Sequence, residues 1–544
     1  MLYYPNPQRK NIVGFNTGHH GGCAIISKDG VVAMQEERLN RKKYSDGYLY
    51  SFFYCLETLG LKASDIDLFV SSSYHQNLSP DFQGKFKELG IDNDKFITVD
   101  HHLSHAYSAY FLSPFDEAIV VVIDGLGNNG DTESYYIAKG SKITKVGGND
   151  KNRPAYKGIG RAYETFTNYC GWSAQEAGKT MGLSAYGKEV CPDVELYKIN
   201  DKNEIESFIE GKYHMGAMNF VKNNSINFGE PFSEFENMDA AYFVQDRSEK
   251  VIIQLVKNLY EKHGIKNICL AGGVFLNGII NKKILEETQI ENVFVPPCCD
   301  DTGQPFGNAL YGHHAHFGME KEFNLKNAYL GRKYSDDEIF DVLEKKQVIY
   351  SLPYKTKSTD IEFVKIENIA QKTAELLSEG KVVAWFQGES EIGPRALGHR
   401  SILSSPVSTQ LRDFINKDIK HREGWRPFAP AILEEKVNQY FDIEIPSPYM
   451  LMVAKAKKEA YDKIPAVIHV DGTARVQTVN KTDNGNFYDL LLEFENKTGI
   501  PVLLNTSLND AGEPVVENPR DALNMFCRSK LDYLIIDNYL VWRK

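Results

Sequence analysis

The chain has 544 residues, too many for one ordinary core, and its 42% hydrophobic and 25% charged residues are the proportions of a soluble fold of two to four domains. The formal net charge of −11 weighs against a partner bound mainly through nucleic-acid phosphates, though a local cationic pocket for a small anion stays compatible with it. There is no apolar signal core at the start and no run of about 18 apolar residues, so neither export nor a membrane span is expected.

Cysteines occur at Cys23, Cys55, Cys170, Cys191, Cys269, Cys298, Cys299 and Cys527, without a CxxC spacing. That usage fits a reduced, cytoplasmic protein. The adjacent Cys298 and Cys299 read as small buried residues at a strand end rather than as a thiolate site.

In chain order, residues 12–35 read as strand, glycine-rich turn, strand, with Asp29-Gly30 as a hairpin turn. Residues 50–60 read as an amphipathic helix and DLFVSSS as a short buried strand. Residues 101–113 read as a helix closed by Pro114, and EAIVVVIDG as an apolar strand ending in Asp-Gly. The pattern then recurs: a long helix over 240–263, the strand and glycine turn NICLAGGVFLNG, and the strand NVFVPPCCDDTGQPFG with a glycine-rich exit. Each strand ends in small or acidic residues at the edge where open α/β sheets bind ligands. The chain turns polar and irregular over about 325–360, where the domain boundary belongs, giving domains 1–350 and 351–544. ENIAQKTAELLSEG (helix) and KVVAWFQG (strand) open the second α/β unit.

Three constellations carry chemistry. His101 and His105 stand at i, i+4, so both imidazoles share one helix face. Asp124 adds a carboxylate from a buried strand end, and Asp300 and Asp301 sit at another. Two imidazoles with carboxylates suit Fe(II), Mn or Zn better than Mg or Ca. His102 points to another face.

The second constellation is three glycine turns after apolar strands, holding Gly125, Gly127, Gly272, Gly273 and Asn277. Glycines let backbone N–H groups approach phosphate oxygens. The arrangement resembles the actin/Hsp70/sugar-kinase architecture, in which two related halves clamp a nucleotide. Lys179, in EAGKTMGLSAYG, is a candidate phosphate partner.

The third gathers cations in the C-terminal half of an acidic chain: Arg395 and Arg400; Lys420, Arg422 and Arg426; His469 and Arg475; with Asn505, Ser507 and Asn509 nearby in LLNTSLN. Converging Arg and Lys can hold phosphates and stabilise charge on a transferring group.

In order along the chain, HHLSHAYSAYF, VVVIDGLG, EAGKTMGLSAYG, LAGGVFLN, GPRALGHRSI, WRPFAPAIL, HVDGTARVQTV and GIPVLLNTSLN resemble the O-carbamoyltransferases of the nodulation-protein NodU and cephalosporin-carbamoylation (CmcH) type, a family that includes tobramycin carbamoyltransferase. The resemblance covers almost the whole chain. It implies an α/β protein with an actin-like (ASKHA, RNase H-like) N-terminal carbamoyl-transfer domain and a YrdC-like C-terminal domain that forms carbamoyl-adenylate. It further implies carbamoyl phosphate and ATP as substrates, Mg with the ATP, and iron between His101, His105, Asp124 and Asp301, the last chosen because its DxG spacing matches the family. The YrdC-type KxR…SxN set falls on Lys420, Arg422, Ser507 and Asn509. Lys420, Arg422 and Arg395 then act in catalysis, Arg400, Arg426, His469, Arg475 and Asn505 bind the phosphates, and His20 is a general base or polar positioner.

The acceptor implied is a hydroxyl of a small natural product, an antibiotic precursor for example, with specificity in the irregular segment 188–240. Neither nucleic acid nor membrane is an expected partner, and a homodimer is the assembly to consider. Two departures stand out: Gly388-Glu389 where the family often has Gly-Arg, and His20-Gly21 where it has His-Asp. The rival readings are a threonylcarbamoyl-type transferase acting on tRNA, which the acidic charge disfavours, and an actin-like-fold phosphotransferase, which would not need the KxR…SxN set.

Overall fold

The computed structural model describes residues 6–72, 86–88, 90–128, 130–149, 152–211, 213–232, 237–346 and 360–544. Its contacts divide the chain into two units, Tyr3–Val31 with Asp46–Leu325, and Val32–Ser45 with Lys326–Lys544. The break expected at 350/351 lies outside the described residues, and the observed division comes earlier, between Leu325 and Lys326. Residues 32–45 also depart from the expected partition. They group with the second unit because Arg38 donates to the Gly393 carbonyl and Arg41 to those of Pro514 and Val515.

Strands β1 (Ile12–Asn16), β2 (Gly22–Ser27), β3 (Gly30–Gln35, divided between the units at Val31/Val32), β4 (Leu68–Ser71) and β5 (Phe96–Thr98) belong to a sheet of order β3-β2-β1-β4-β5. Strand β1 is antiparallel to β2 and parallel to β4, and β4 is parallel to β5. Next come β6 (Glu117–Ile123), β7 (Glu133–Lys139) and β8 (Lys142–Gly148), and a two-stranded sheet of β9 (Tyr197–Ile199) and β10 (Ile205–Ser207). With β11 (Asn267–Ala271) and β12 (Asn292–Phe294) they complete a second sheet, β12-β11-β6-β7-β8.

Strand β6 is antiparallel to β7 and parallel to β11, which is parallel to β12. Read from its other edge, this sheet repeats the plan of the first, giving the two related halves that the resemblance implies. The central strands are continuous apolar runs, buried from Ala118 to Ile123 in β6, as parallel strands covered on both faces must be. The helix over 101–113 is His101–Phe111, and the long helix is Met238–His263.

In the second unit, β13 (Ile361–Lys365), β14 (Val383–Phe386), β15 (Arg400–Ser404), β16 (Ala429–Leu433), β17 (Met452–Lys455), β18 (Thr473–Val479), β19 (Val502–Ser507), β20 (Tyr533–Ile536) and β21 (Tyr539–Arg543) form one sheet. Its order is β13-β21-β20-β14-β15-β19-β16-β18-β17. The helices Ile369–Ser378 and Gly485–Thr498 lay Leu377, Phe487, Leu490 and Phe494 on one face, against Trp385, Leu403, Leu433 and Leu503. Strands β15 and β19 pair Ser401 with Ser507, which brings the GPRALGHR and NTSLN segments together. Among the described residues no helix is long and apolar enough to cross a membrane.

Candidate metal centre and cationic cluster

The His101–Phe111 helix starts where Asp100 accepts from the Leu103 N–H, a side-chain N-cap. It packs on the helix Gln304–Tyr311, where a Cβ on Gly307 would lie 2.1 Å from the Ser104 carbonyl, so only glycine permits the approach. Asp124 leaves the end of β6, and Asp301 opens the short turn Asp301–Gly303.

These elements converge four side chains. His101 Nε2 lies 3.2 Å from both Asp124 Oδ2 and Asp301 Oδ1, and His105 Nε2 lies 3.6 Å and 3.2 Å from the same two oxygens. All four donor atoms fall within 4.8 Å of one another. Donors bound at about 2.1 Å to one ion stand roughly 3.0–3.4 Å apart in octahedral or tetrahedral geometry. The set therefore fits a single borderline cation.

The electrostatics agree. Burial by itself would depress the His101 imidazole, but Asp301 and Asp124 outweigh it and raise its pKa to about 10. Burial and the Asp124 charge would raise Asp301, yet His101 and His105 hold it down to about 2. Two carboxylates that draw protons onto buried imidazoles this strongly draw a divalent cation by the same field. Asp124 Oδ1 is held by the Gly273 N–H at 3.0 Å, which aims Oδ2 at the histidines. Asp300 turns away: its carboxylate accepts from the Thr302 hydroxyl. His102 also turns away, pairing Nδ1 with Ser134 Oγ at 2.9 Å, and burial keeps it neutral.

His20 takes left-handed backbone, φ 57, and its carbonyl accepts from Asn16 Nδ2, which also reaches the Asp301 carbonyl at 3.5 Å. This puts the glycine-rich turn beside the metal loop. Gly272 has φ +94 and lies against the Ile123 carbonyl, while Gly127 abuts the His102 ring and Gly125 faces Glu164. Asn277 caps the helix Gly278–Glu287 and exchanges hydrogen bonds with Gln245. Lys179 pairs with Glu176 at 2.8 Å over the Trp172 ring.

In the second unit, Lys420 is only 5% exposed. Its Nζ donates to the Ser507 carbonyl at 2.7 Å and to the Asn509 carbonyl and Oδ1 at 2.6 Å each. Burial, then Arg422 and Arg426, push its pKa well down. Arg422 donates to Asn416 Oδ1 at 2.7 Å and lies over the Phe428 ring. Arg475 is pushed down by burial and then by Arg395, Arg422 and Arg426. Five cations thus crowd one another, with Glu423 beside Arg426 and Asp510 near Lys420 as partial counter-charges. Such crowding is what a multiply charged anion relieves. The His469 N–H closes the turn onto Thr473, before Arg475 in β18.

Two expected anion binders are placed otherwise. Arg400 is fully buried, stacks on Phe386, and donates to the carbonyls of Gln387, Gly388, His399 and Glu517, so it braces the loop instead of facing a ligand. Asn505 is buried and donates to Gln477 Oε1 and the Ala396 carbonyl. At the departure Gly388-Glu389, the Glu389 carbonyl pairs with His399 Nδ1 at 2.6 Å. Residues that sequence reasoning missed are Glu391, whose buried carboxylate accepts the N–H groups of Leu397, His399 and Arg400, and the basic stretch Arg38–Lys43. Glu391, the second of two glutamates in GESEIGPR, gave no signal; RLNRKK did show charge, but at the far end of the chain.

A chain with a buried two-histidine, two-carboxylate group in one unit and a crowded cationic cluster in the other has the layout of a group-transfer enzyme. Residues 83–310 match the family model "Carbamoyltransferase N-terminus" and residues 374–543 match "Carbamoyltransferase C-terminus". An uncharacterized protein of Synechocystis sp., sll1178, is 32% identical over 98% of this chain and 96% of its own. Nodulation protein NolNO of Sinorhizobium fredii is 32% identical over 97% and 80%, and the 3'-hydroxymethylcephem-O-carbamoyltransferase of Amycolatopsis lactamdurans 28% over 95% and 96%. The chain belongs to the carbamoyltransferase family, of the NodU/CmcH type, and is a transferase.

Proposed function

We propose that the protein is an ATP-dependent O-carbamoyltransferase that works in two half-reactions, one in each unit. The observation that carries the reading is the Lys420 ammonium seated on Ser507 and Asn509 among Arg422, Arg426, Arg475 and Arg395. This assembles the KxR…SxN set, and the second unit is read as YrdC-like on that ground. The first unit, with its two related sheets, is read as actin-like.

In the second unit, Lys420, Arg422, Arg426 and Arg475 hold the phosphates of carbamoyl phosphate and ATP. Water takes the phosphoryl group of carbamoyl phosphate, releasing phosphate and carbamate. A carbamate oxygen attacks the α-phosphorus of ATP, pyrophosphate leaves, and carbamoyl-adenylate remains. The cations lower the cost of bringing these anions together. In the first unit, an acceptor hydroxyl oxygen attacks the carbamoyl carbon, the bond to the AMP oxygen breaks, and the hydroxyl proton passes to His20. His101, His105, Asp124 and Asp301 would hold iron, with Zn or Mn as the other ions suited to the set, and a bound ion supplies Lewis acidity toward a phosphate or carbonyl oxygen. The acceptor is read as a small hydroxylated natural product, as in the cephem-modifying relative.

The test is to mix the purified, metal-loaded protein with ATP and carbamoyl phosphate without acceptor. Pyrophosphate release that requires both substrates is expected. No release from folded protein would refute the first half-reaction.

A further inference from the structure

Glu391 is 1% exposed and lies in the loop between β14 and β15. One of its carboxylate oxygens, Oε1, accepts the N–H groups of Leu397 at 2.9 Å, His399 at 2.8 Å and Arg400 at 3.1 Å. The other oxygen faces Arg38 Nη1 at 4.0 Å, and Arg38 Nη2 donates to the Gly393 carbonyl at 2.8 Å. All of these residues belong to the second unit. Gly393 and Gly398 take positive φ, 96 and 109, so the loop turns at both and leaves buried N–H groups in need of an acceptor. An ionised carboxylate is strong enough to gather three of them.

These bonds fix where β15 begins. The N–H of its first residue, Arg400, goes to Glu391, while its carbonyl accepts from the Leu508 N–H at 2.9 Å. That bond adds one step to the ladder in which Ser401 pairs with Ser507. Leu508 is fully buried and stands between Ser507 and Asn509. Both flanking carbonyls accept from Lys420 Nζ, at 2.7 Å and 2.6 Å, and Asn509 Oδ1 accepts from it at 2.6 Å. A continuous run of hydrogen bonds and backbone thus leads from the Glu391 carboxylate, through Arg400 and Leu508, to the Lys420 ammonium. Close-packed interiors pass a displacement on instead of absorbing it.

We propose that Glu391 is a positioning residue for Lys420: it fixes Arg400 against Leu508 and so holds the Ser507 and Asn509 acceptors where the ammonium meets a phosphate. The anion is a multiply charged phosphate, of the pyrophosphate or nucleoside-triphosphate class. The assignment deepens the reading above and rests on it. Glu391 itself touches no ligand in this role and acts through the lysine.

Titration calorimetry with inorganic pyrophosphate on the full-length protein tests the assignment. Glu391→Gln keeps Oε1 as a neutral acceptor and should weaken binding about fivefold. Glu391→Ala should weaken it further, so that glutamine recovers part of what alanine loses; if the alanine variant does not fold, Glu391→Gln carries the test alone. In a double-mutant cycle, adding Glu391→Gln to Lys420→Met should change affinity by less than about twofold. Phe494→Leu, a core change in the helix Gly485–Thr498, should lower the melting temperature and leave the affinity of the folded protein unchanged. Wild-type affinity in Glu391→Gln, or a loss of the same size when Lys420 is already replaced, overturns the positioning role and leaves the wider reading intact. A wild type that binds neither pyrophosphate nor ATP overturns both.

Discussion

His105 Nε2 lies 3.2 Å from Asp301 Oδ1, although 196 positions separate the two residues. The contact joins the face of one helix to the turn that starts another, and with His101 and Asp124 it closes the four-donor group. Removing one donor should remove the ion. His105→Ala should lower metal affinity by more than the about 10–100-fold that loss of an outer partner costs. Metal content after gel filtration, with circular dichroism to confirm the fold, checks this.

The backbone around the metal group is as constrained as its ligands. A Cβ at Gly160 would stand 2.7 Å from the Asp124 carbonyl. Gly160→Ala should displace the end of β6, cost about 1–3 kcal/mol of stability, and weaken metal binding. Denaturant unfolding and metal titration of the same variant measure both effects.

Arg400 and Arg422 look alike in sequence, and their variants should fail differently. Arg400→Met removes the buried guanidinium that donates to four carbonyls, which should destabilise the protein by about 3–5 kcal/mol. Arg422→Ala should keep the wild-type melting temperature within a few degrees and lose pyrophosphate release. Thermal unfolding beside the activity assay separates the two.

Binding of anions should be coupled to protons. Burial and the neighbouring arginines hold the free Lys420 ammonium well below its ordinary pKa, so its neutral form gains weight as pH rises. A bound phosphate restores the charged form, so binding takes up protons, and affinity should fall as pH rises through the free enzyme's Lys420 pKa. Calorimetry with pyrophosphate in buffers of different ionisation enthalpy reads the uptake directly. Proton release on binding would contradict the placement.

Much of the metal group was legible because helix periodicity puts His101 and His105 on one face, and a strand that ends in Asp-Gly points Asp124 at the sheet edge. Choosing between Asp300 and Asp301 was not legible from periodicity, since both follow the same strand. The structure separates them by giving Asp300 the Thr302 hydroxyl. Cations beside glycines could be counted but not aimed: Arg400 points inward and Arg475 joins the cluster, a difference set by pairings between distant strands. The service of residues 32–45 to the second unit was hidden for the same reason, because it depends on carbonyls of Gly393, Pro514 and Val515 that carry no sequence signal.

The central claim is a division of labour between the cationic cluster and the metal group. It is measured by following pyrophosphate release and carbamoyl transfer separately in Arg422→Ala and His105→Ala, supplying carbamoyl-adenylate directly for the second step and an acceptor hydroxyl compound. The account predicts that Arg422→Ala loses pyrophosphate release but transfers from supplied carbamoyl-adenylate, while His105→Ala releases pyrophosphate and fails to transfer. Loss of pyrophosphate release in folded His105→Ala would contradict it.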